Sequence, residues 1–218
     1  TARGRNHGYD LLNVAKKNET WFQQVLTVED TRAIPISAVD EERAAGMPEE
    51  MIQQEFFCSF DAPLVGSYYG NAMARLLADQ HLTKVPYDPN LDVHTSWDLG
   101  IGDSTVIIFF QMHHNEVRII DYYENQGEGL PHYIKIVREK EYVYGDHFAP
   151  HDIKVRDLST GKSRIEIARE LGIRFRVVAN LRIEDGIEAV RSILPRCYMD
   201  ENKCDHLIEA LRLSLIHI

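Results

Sequence analysis

Apolar and β-forming positions are densest between residues 93 and 124, in three runs separated by turn residues. Residues 93–98 read as a strand, a glycine-softened turn follows, and 104–112 is a second, strongly apolar strand. A His-His-Asn turn leads into Glu116–Tyr123, mostly β-formers, which predicts a third strand over 116–124. Downstream the pattern alternates: helix 130–140, strand 142–149, helix 163–171, strand 173–179 and helix 184–194, the last closed by Pro195. Upstream, 20–29 reads as a strand, and 37–45 and 48–57 read as helices, opened by Ser37 with Glu41 and by Pro48. A further helix near 70–79 lies between two turn-rich stretches, Asp61–Tyr69 and Pro86–Asp92.

Three meandering strands followed by α, β, α, β, α is the order of a ribonuclease H-like fold. The expectation is therefore an α/β domain with a mixed sheet flanked by helices. With 218 residues the chain has room for one large domain, or one domain and part of another, and the boundary is expected between about 60 and 92. Thr1–Asn6 shows no apolar periodicity and runs straight into Tyr9–Ala15, so the chain is expected to begin inside a preceding domain.

Composition narrows the class. Hydrophobic content of 44% and charged content of 27% are ordinary for a globular protein. No apolar run reaches membrane length and the first residues lack a signal-peptide profile, which reads as cytosolic. Cys58, Cys197 and Cys204 are odd in number and lack close zinc-ligand spacing, so reduced structural thiols are expected. The net charge of −10 argues against a protein that binds nucleic acid over its whole surface. The charge is uneven, however: residues 1–150 hold 12 Lys/Arg against 23 Asp/Glu, and residues 151–218 hold 12 against 11. A phosphate-facing surface is expected in the last third, although a mixed-charge helix face gives the same count.

Asp98 is the first candidate for chemistry. It stands where an apolar strand gives way to a glycine-softened turn, and a carboxylate held there is costly to bury unless something positive binds it. The plainer reading is a turn residue bonded to nearby backbone. Asp103 follows at the start of the next strand. In a ribonuclease H-like sheet the fourth strand lies beside the first, so carboxylates near its end can meet Asp98. Asp152, beyond Pro150, is the preferred partner and Asp146 the reserve; a solvated acidic loop is the alternative. Two or three such oxygen ligands suit Mg²⁺ or Mn²⁺, and two ions about 3.5–4 Å apart would serve phosphodiester cleavage. His113, His114, His132, His147 and His151 cluster in the sequence. The first two fall in a predicted turn, and His151 either orients Asp152 or is a simple surface histidine.

Thr160-Gly-Lys-Ser163 matches the tail of a phosphate-binding loop, but the motif needs a glycine at 156, where the chain has Arg, and a preceding strand. It is read as a helix cap, with Lys154, Lys162 and Arg164 as candidate contacts to DNA phosphates. Asp98-Leu-Gly-Ile-Gly-Asp-Ser-Thr also resembles the first phosphate loop of sugar-kinase-like ATPases. The second loop and second lobe of that fold are lacking, and Asp185-Gly186 supplies neither.

Five segments spread over nearly the whole chain carry a more specific resemblance. They are Thr1-Ala-Arg-Gly-Arg-Asn-His7, Gln54-Glu-Phe-Phe-Cys-Ser-Phe-Asp61, Val93-His-Thr-Ser-Trp-Asp-Leu-Gly-Ile-Gly-Asp-Ser-Thr105, Ala149-Pro-His-Asp152 and Thr160-Gly-Lys-Ser-Arg164. In this order the chain resembles the large terminase subunit of tailed bacteriophages, a DNA-packaging motor with an N-terminal ATPase and a C-terminal ribonuclease H-like nuclease. The resemblance implies that 1–60 is the end of the ATPase domain, 61–92 a linker and 93–212 an incomplete nuclease domain. The Walker segments, and with them ATP binding, would lie upstream. A third nuclease carboxylate is expected from a later helix that the chain does not match. Cys204–Arg212 resembles the segment before it, and Asp205, Glu184, Asp185 and Glu188 are the in-chain substitutes. Leu213–Ile218 can be written as CTG TCT CTT ATA CAC ATC, which resembles a transposon end used in sequencing adapters, so these six residues are read as a non-native tail.

The implied activity is that of a metal-dependent endonuclease cutting concatemeric viral DNA during packaging, with Asp98 and Asp152 on the first ion and Asp103 nearby. Implied partners are double-stranded viral DNA, the portal protein and the small terminase subunit. The implied place is the host cytoplasm, at the portal vertex of the procapsid, with oligomerisation only in the assembled motor. Two alternatives stand beside it. One is a non-catalytic docking fragment of the motor, and the other a resolvase- or transposase-type nuclease, in which 1–7 and 54–61 have no role.

Overall fold

Along Val93–Leu99 every second side chain is buried: Val93, Thr95, Trp97 and Leu99 face one way, while His94, Ser96 and Asp98 face the other. A period of two gives a strand one apolar face to bury. The computed structural model describes residues 7–60, 67–100, 104–155 and 161–214. In chain order the helices are α1 (His7–Lys16), α2 (Val28–Thr31), α3 (Ile36–Ala44), α4 (Glu49–Glu55), α5 (Gly70–Ala78), α6 (Leu130–Glu139), α7 (Arg164–Glu170), α8 (Ile183–Ile193) and α9 (Asp205–Leu213). The strands are β1 (Leu82–Thr83), β2 (Val93–Leu99), β3 (Ser104–His113), β4 (Glu116–Gln126), β5 (Tyr144–Ala149), β6 (Phe175–Val177) and β7 (Cys197–Asp200). The described residues fall into two compact units, one formed by those of 1–79 and 206–218, the other by Gln80–Asp205.

The second unit holds a seven-stranded sheet in the order β1-β7-β4-β3-β2-β5-β6. β2, β3 and β4 form an antiparallel meander, while β5 runs parallel to β2, β6 to β5, β7 to β4 and β1 to β7. Within it, β4-β3-β2-β5-β6 is the ribonuclease H-like arrangement that the order of elements predicts. The order reverses between β2 and β5, since the chain fills one side of β2 first and then crosses to the other. In open α/β sheets that crevice, at the carboxyl ends of the strands, is where ligands bind.

The core lies on one face of the sheet. Trp97, Ile107, Phe109 and Ile120 pack against Tyr133, Ile134 and Val137 of α6 and against Ala168 of α7. Helix α6 starts with Pro131 in its first turn, and α7 starts at Ser163 with a capping box: Glu166 N–H donates to Ser163 Oγ, and Ser163 N–H to the Glu166 carboxylate at 2.7 Å. Arg138 ties the two helices by donating to the Leu171 carbonyl. At the other end of the sheet, Asp200 is buried and accepts backbone N–H bonds from Val85, Asn202 and Lys203. Burial alone would raise its pKa, but those three donors outweigh it and hold the carboxyl below its usual value.

The first unit is helical where it is described. Val28, Val39 and Ile52 form its small core, with Met47, Phe56 and Phe57 around them. Here three sequence expectations are corrected. No strand covers 20–29: Thr20–Thr27 has no regular structure and 28–31 is the single turn α2. Trp21 and Phe22 are exposed, Phe22 to 89%, so nothing among the described residues buries the apolar run. The local signal that prevails is Thr27 with Asp30, a capping box in which each side chain accepts the other's backbone N–H. Ser37 lies inside α3, whose cap is Pro35, and Pro48 caps α4 instead of opening its first turn. Among the described residues no helix is long and apolar enough to cross a membrane.

Candidate metal centre

β2 and β5 are parallel, with Thr95 opposite His147 and Ser96 opposite Phe148, so their carboxyl ends lie on the same edge of the sheet. Asp98 is the last residue but one of β2 and projects, exposed, from the face away from the core. Asp152 comes just after β5, in a short 3₁₀ turn (His151–Lys154) that Pro150 opens. Ile153, fully buried, pins that turn to the core, and Ile153 N–H donates to the Pro150 carbonyl at 3.2 Å. The two preferred carboxylates thus sit at the carboxyl ends of neighbouring parallel strands, at the reversal of strand order.

Asp152 carries the most informative atom of the site. Its Oδ1 is buried and accepts no hydrogen bond, alone in this among the side-chain atoms of the described residues. A buried carboxylate oxygen without a donor is costly, and a hard divalent cation is the group such an oxygen suits. The donor set is all oxygen, which fits Mg²⁺ or Mn²⁺ better than softer metals. Among the described residues, however, no three His, Cys, Asp or Glu side chains gather closely enough to hold an ion. Asp103 lies outside the described residues.

Asp146 is placed differently. The pairing of β2 with β5 slips between Val93 and Thr95, leaving an extra residue on β5. His94 fills the irregularity: its Nδ1 accepts the Asp146 N–H at 3.0 Å, and its ring lies so close to Gly145 that a Cβ there would come within 2.7 Å of it. Asp146 is thereby directed to the outer face, where Arg176 of β6 pairs with it at 2.9 Å.

His147, by contrast, faces the core. Trp97 Nε1–H donates to Thr95 Oγ1 at 2.7 Å, and Thr95 Oγ1 lies 2.6 Å from His147 Nδ1. The indole can only donate, which leaves the threonine proton free to go to Nδ1; in that arrangement the proton of neutral His147 is on Nε2. Burial lowers the His147 pKa from its usual value of 6.5. The unfolded chain therefore takes up this proton first. The stability that neutral His147 contributes is complete above pH 6.5 and is lost as pH falls through the lowered value. Denaturant midpoints are expected to drop as pH falls below about 6.5, and to drop less in His147→Gln. Equal slopes in the two proteins would refute this.

The remaining candidates are spoken for or apart. His132 Nε2 bonds Tyr123 Oη at 2.8 Å, His113 Nδ1 bonds Arg118, and His151 is exposed on the turn. Lys162 pairs with Glu170 at 2.6 Å, and Lys154 is exposed. Arg164 is half-buried and donates to the Leu99 carbonyl at 3.4 Å. On α8, Asp185 pairs with Arg182 and Glu188 with Arg191, and Asp205 stands in the first turn of α9. Cys58, Cys197 and Cys204 are free thiols, and burial pushes Cys197 up to about 11 and Cys204 to about 12. Two buried carboxylates went unread in the sequence. One is Asp200; the other is Asp121, which accepts from Lys140 Nζ at 2.6 Å and Tyr142 Oη at 3.0 Å. Both are fully engaged in holding the sheet and its loops.

Neither a protein-family model nor a curated protein matches the sequence. Solved structures do match the fold. The large terminase of a thermophilic bacteriophage aligns over 97% of this chain and 52% of its own, at 13% identity and a TM-score of 0.54. The same protein in complex with ADP gives 96% and 52%, 13% identity and a TM-score of 0.51. The P22 large terminase nuclease domain aligns over 62% of this chain and 74% of its own, at 14% identity and a TM-score of 0.50. This chain spans about half the length of the thermophilic phage's terminase. At these identities the likeness is one of fold, and the fold is that of large terminases, with the ribonuclease H-like sheet of their nuclease domains.

Proposed function

We propose that this chain is the nuclease-bearing part of a phage DNA-packaging terminase and cuts double-stranded viral DNA with Mg²⁺ or Mn²⁺ held by Asp98 and Asp152. The observation that supports this most is the unpartnered Oδ1 of Asp152, on the turn after β5 and beside the end of β2. Bound there, the ions would supply an activated water and stabilise the departing oxygen of a phosphodiester. Asp98 and Asp152 would hold them, with Asp103 as a further ligand and a third carboxylate to be drawn from a helix after the sheet. Lys154 and Arg164 would meet the DNA backbone; Lys162 would first have to leave Glu170. On this reading 1–60 ends the ATPase domain, 61–92 links it to the nuclease domain, and 213–218 is a tail without a role. ATP, the portal protein and the small subunit belong to the larger motor, at the portal vertex in the host cytoplasm.

One observation favours a second reading, a docking part that does not cut: among the described residues no three-ligand group is assembled. Supercoiled plasmid incubated with the chain separates the two. Nicking with Mn²⁺ or Mg²⁺ that disappears in EDTA and in Asp98→Ala supports the nuclease. No nicking with either ion, at any protein concentration that saturates the DNA, leaves docking.

A further inference from the structure

A second concave site lies at the same end of the sheet, on the core side. The cavity, of about 260 Å³, is lined by Leu99 and Gly100 at the end of β2, Thr105 at the start of β3, the first turn of α6, and Arg164 at the start of α7. It is smaller than the roughly 300–1,000 Å³ of sites for drug-sized ligands, so it suits a small group.

Three donors converge on it. Helix α6, ten residues long, opens at Gly129 with no side-chain cap, and the Leu130 N–H in its first turn has no acceptor within the helix. Arg164 is half-buried, meets only the Leu99 carbonyl at a long 3.4 Å, and has no carboxylate partner among the described residues. Thr105 is only 5% exposed as a residue and lines the cavity; its hydroxyl, unlike Asp152 Oδ1, is not sealed from solvent, and no hydrogen bond from a described side chain occupies it. The walls are apolar, from Leu99, Leu130, Tyr133 and Ile167, which strengthens any charge interaction inside. One carboxylate, Glu128, stands at the rim; it is exposed, so water screens its repulsion.

We propose that this cavity is a phosphate-binding subsite, in which Arg164, the Thr105 hydroxyl and the first turn of α6 hold one phosphate group. The chemistry is that of a phosphate mono- or diester or of the free anion. That the group comes from DNA rests on the nuclease reading; the site itself does not.

The test is NMR titration of the whole chain in EDTA with inorganic phosphate at matched ionic strength, following the Leu130 amide and Arg164 Nε–H signals. Saturable shifts are expected. They should need about tenfold more phosphate or worse in Arg164→Gln and in Thr105→Val, and less in Glu128→Gln. Absence of a saturable shift, or equal affinity in Arg164→Gln and Thr105→Val with the fold intact by circular dichroism, would overturn the proposal. A short duplex, with and without 5′-phosphates, then distinguishes the sources. Competition by both duplexes assigns a backbone phosphate, competition by the phosphorylated one alone assigns a DNA end, and competition by neither assigns the free anion. Because no metal is present and no cleavage is read, the subsite can stand if the nuclease reading fails, and the reverse.

Discussion

Asp152→Ala is expected to make the metal-free protein more stable while abolishing its metal-dependent chemistry. In the folded chain Oδ1 of Asp152 is out of water and without a donor, a cost on the order of 1–3 kcal/mol that alanine does not incur. Urea denaturation in EDTA should therefore show a higher midpoint for the variant at an unchanged slope. The wild type should gain stability as Mn²⁺ is added, since an ion that binds only the folded state adds stability by mass action. The variant should gain almost nothing. DNA nicking should fall by more than the roughly 10–100-fold that loss of an outer partner of a metal ligand costs, because Asp152 would be a direct ligand. A variant that is less stable in EDTA and still stabilised by Mn²⁺ would make Asp152 a structural residue. The opposition of stability and function at one side chain is what a binding site held ready in the empty protein produces.

Ile153→Ala, one residue on, is expected to cost about 2–5 kcal/mol, because Ile153 is fully buried and its removal leaves a cavity that the sheet and α7 cannot close. Ile153→Val should cost only about 0.5–1.5 kcal/mol. The same residue fastens the turn that carries Asp152, so the alanine variant should also lose most of the Mn²⁺-induced stabilisation at temperatures where it is still folded. Phe109→Ala, equally buried in β3 but remote from that turn, provides the comparison. It should destabilise by about 3–5 kcal/mol and keep its response to Mn²⁺ while folded. Parallel loss of the metal response in both would mean that the turn has no special role.

The central sheet was legible because each of its long strands writes its own pattern. Val93, Thr95, Trp97 and Leu99 are buried in turn, and β3 continues the alternation over its first eight residues. What was not legible was decided by partners distant in sequence or by a single turn. β1 has two residues and exists only because Leu82 and Thr83 pair with Met199 and Asp200. β7, four residues long behind a proline, has the same dependence on β4. In the first unit, the β-forming run Trp21–Val28 yielded to the Thr27–Asp30 cap. For the candidate site, the places of Asp98 and Asp152 at the ends of neighbouring strands were readable from the order of elements. The orphaned oxygen of Asp152 was not, since it depends on how Ile153 seats the turn. The cavity around Thr105 was invisible for another reason: Thr105 and Arg164 both end segments that the sequence singles out, but only the fold brings them together with the first turn of α6.

The two strands that border the sheet are also its shortest, β1 with two residues and β6 with three. An unpaired strand edge is a template on which a second chain can add, and length is what makes the template effective. Here each border offers too few free backbone groups to hold a foreign strand. Crowded copies of this protein would therefore resist sheet-to-sheet aggregation through the geometry of the borders, to which Arg176 on β6 and Lys84 and Pro86 just after β1 add charge and a break in the backbone donors.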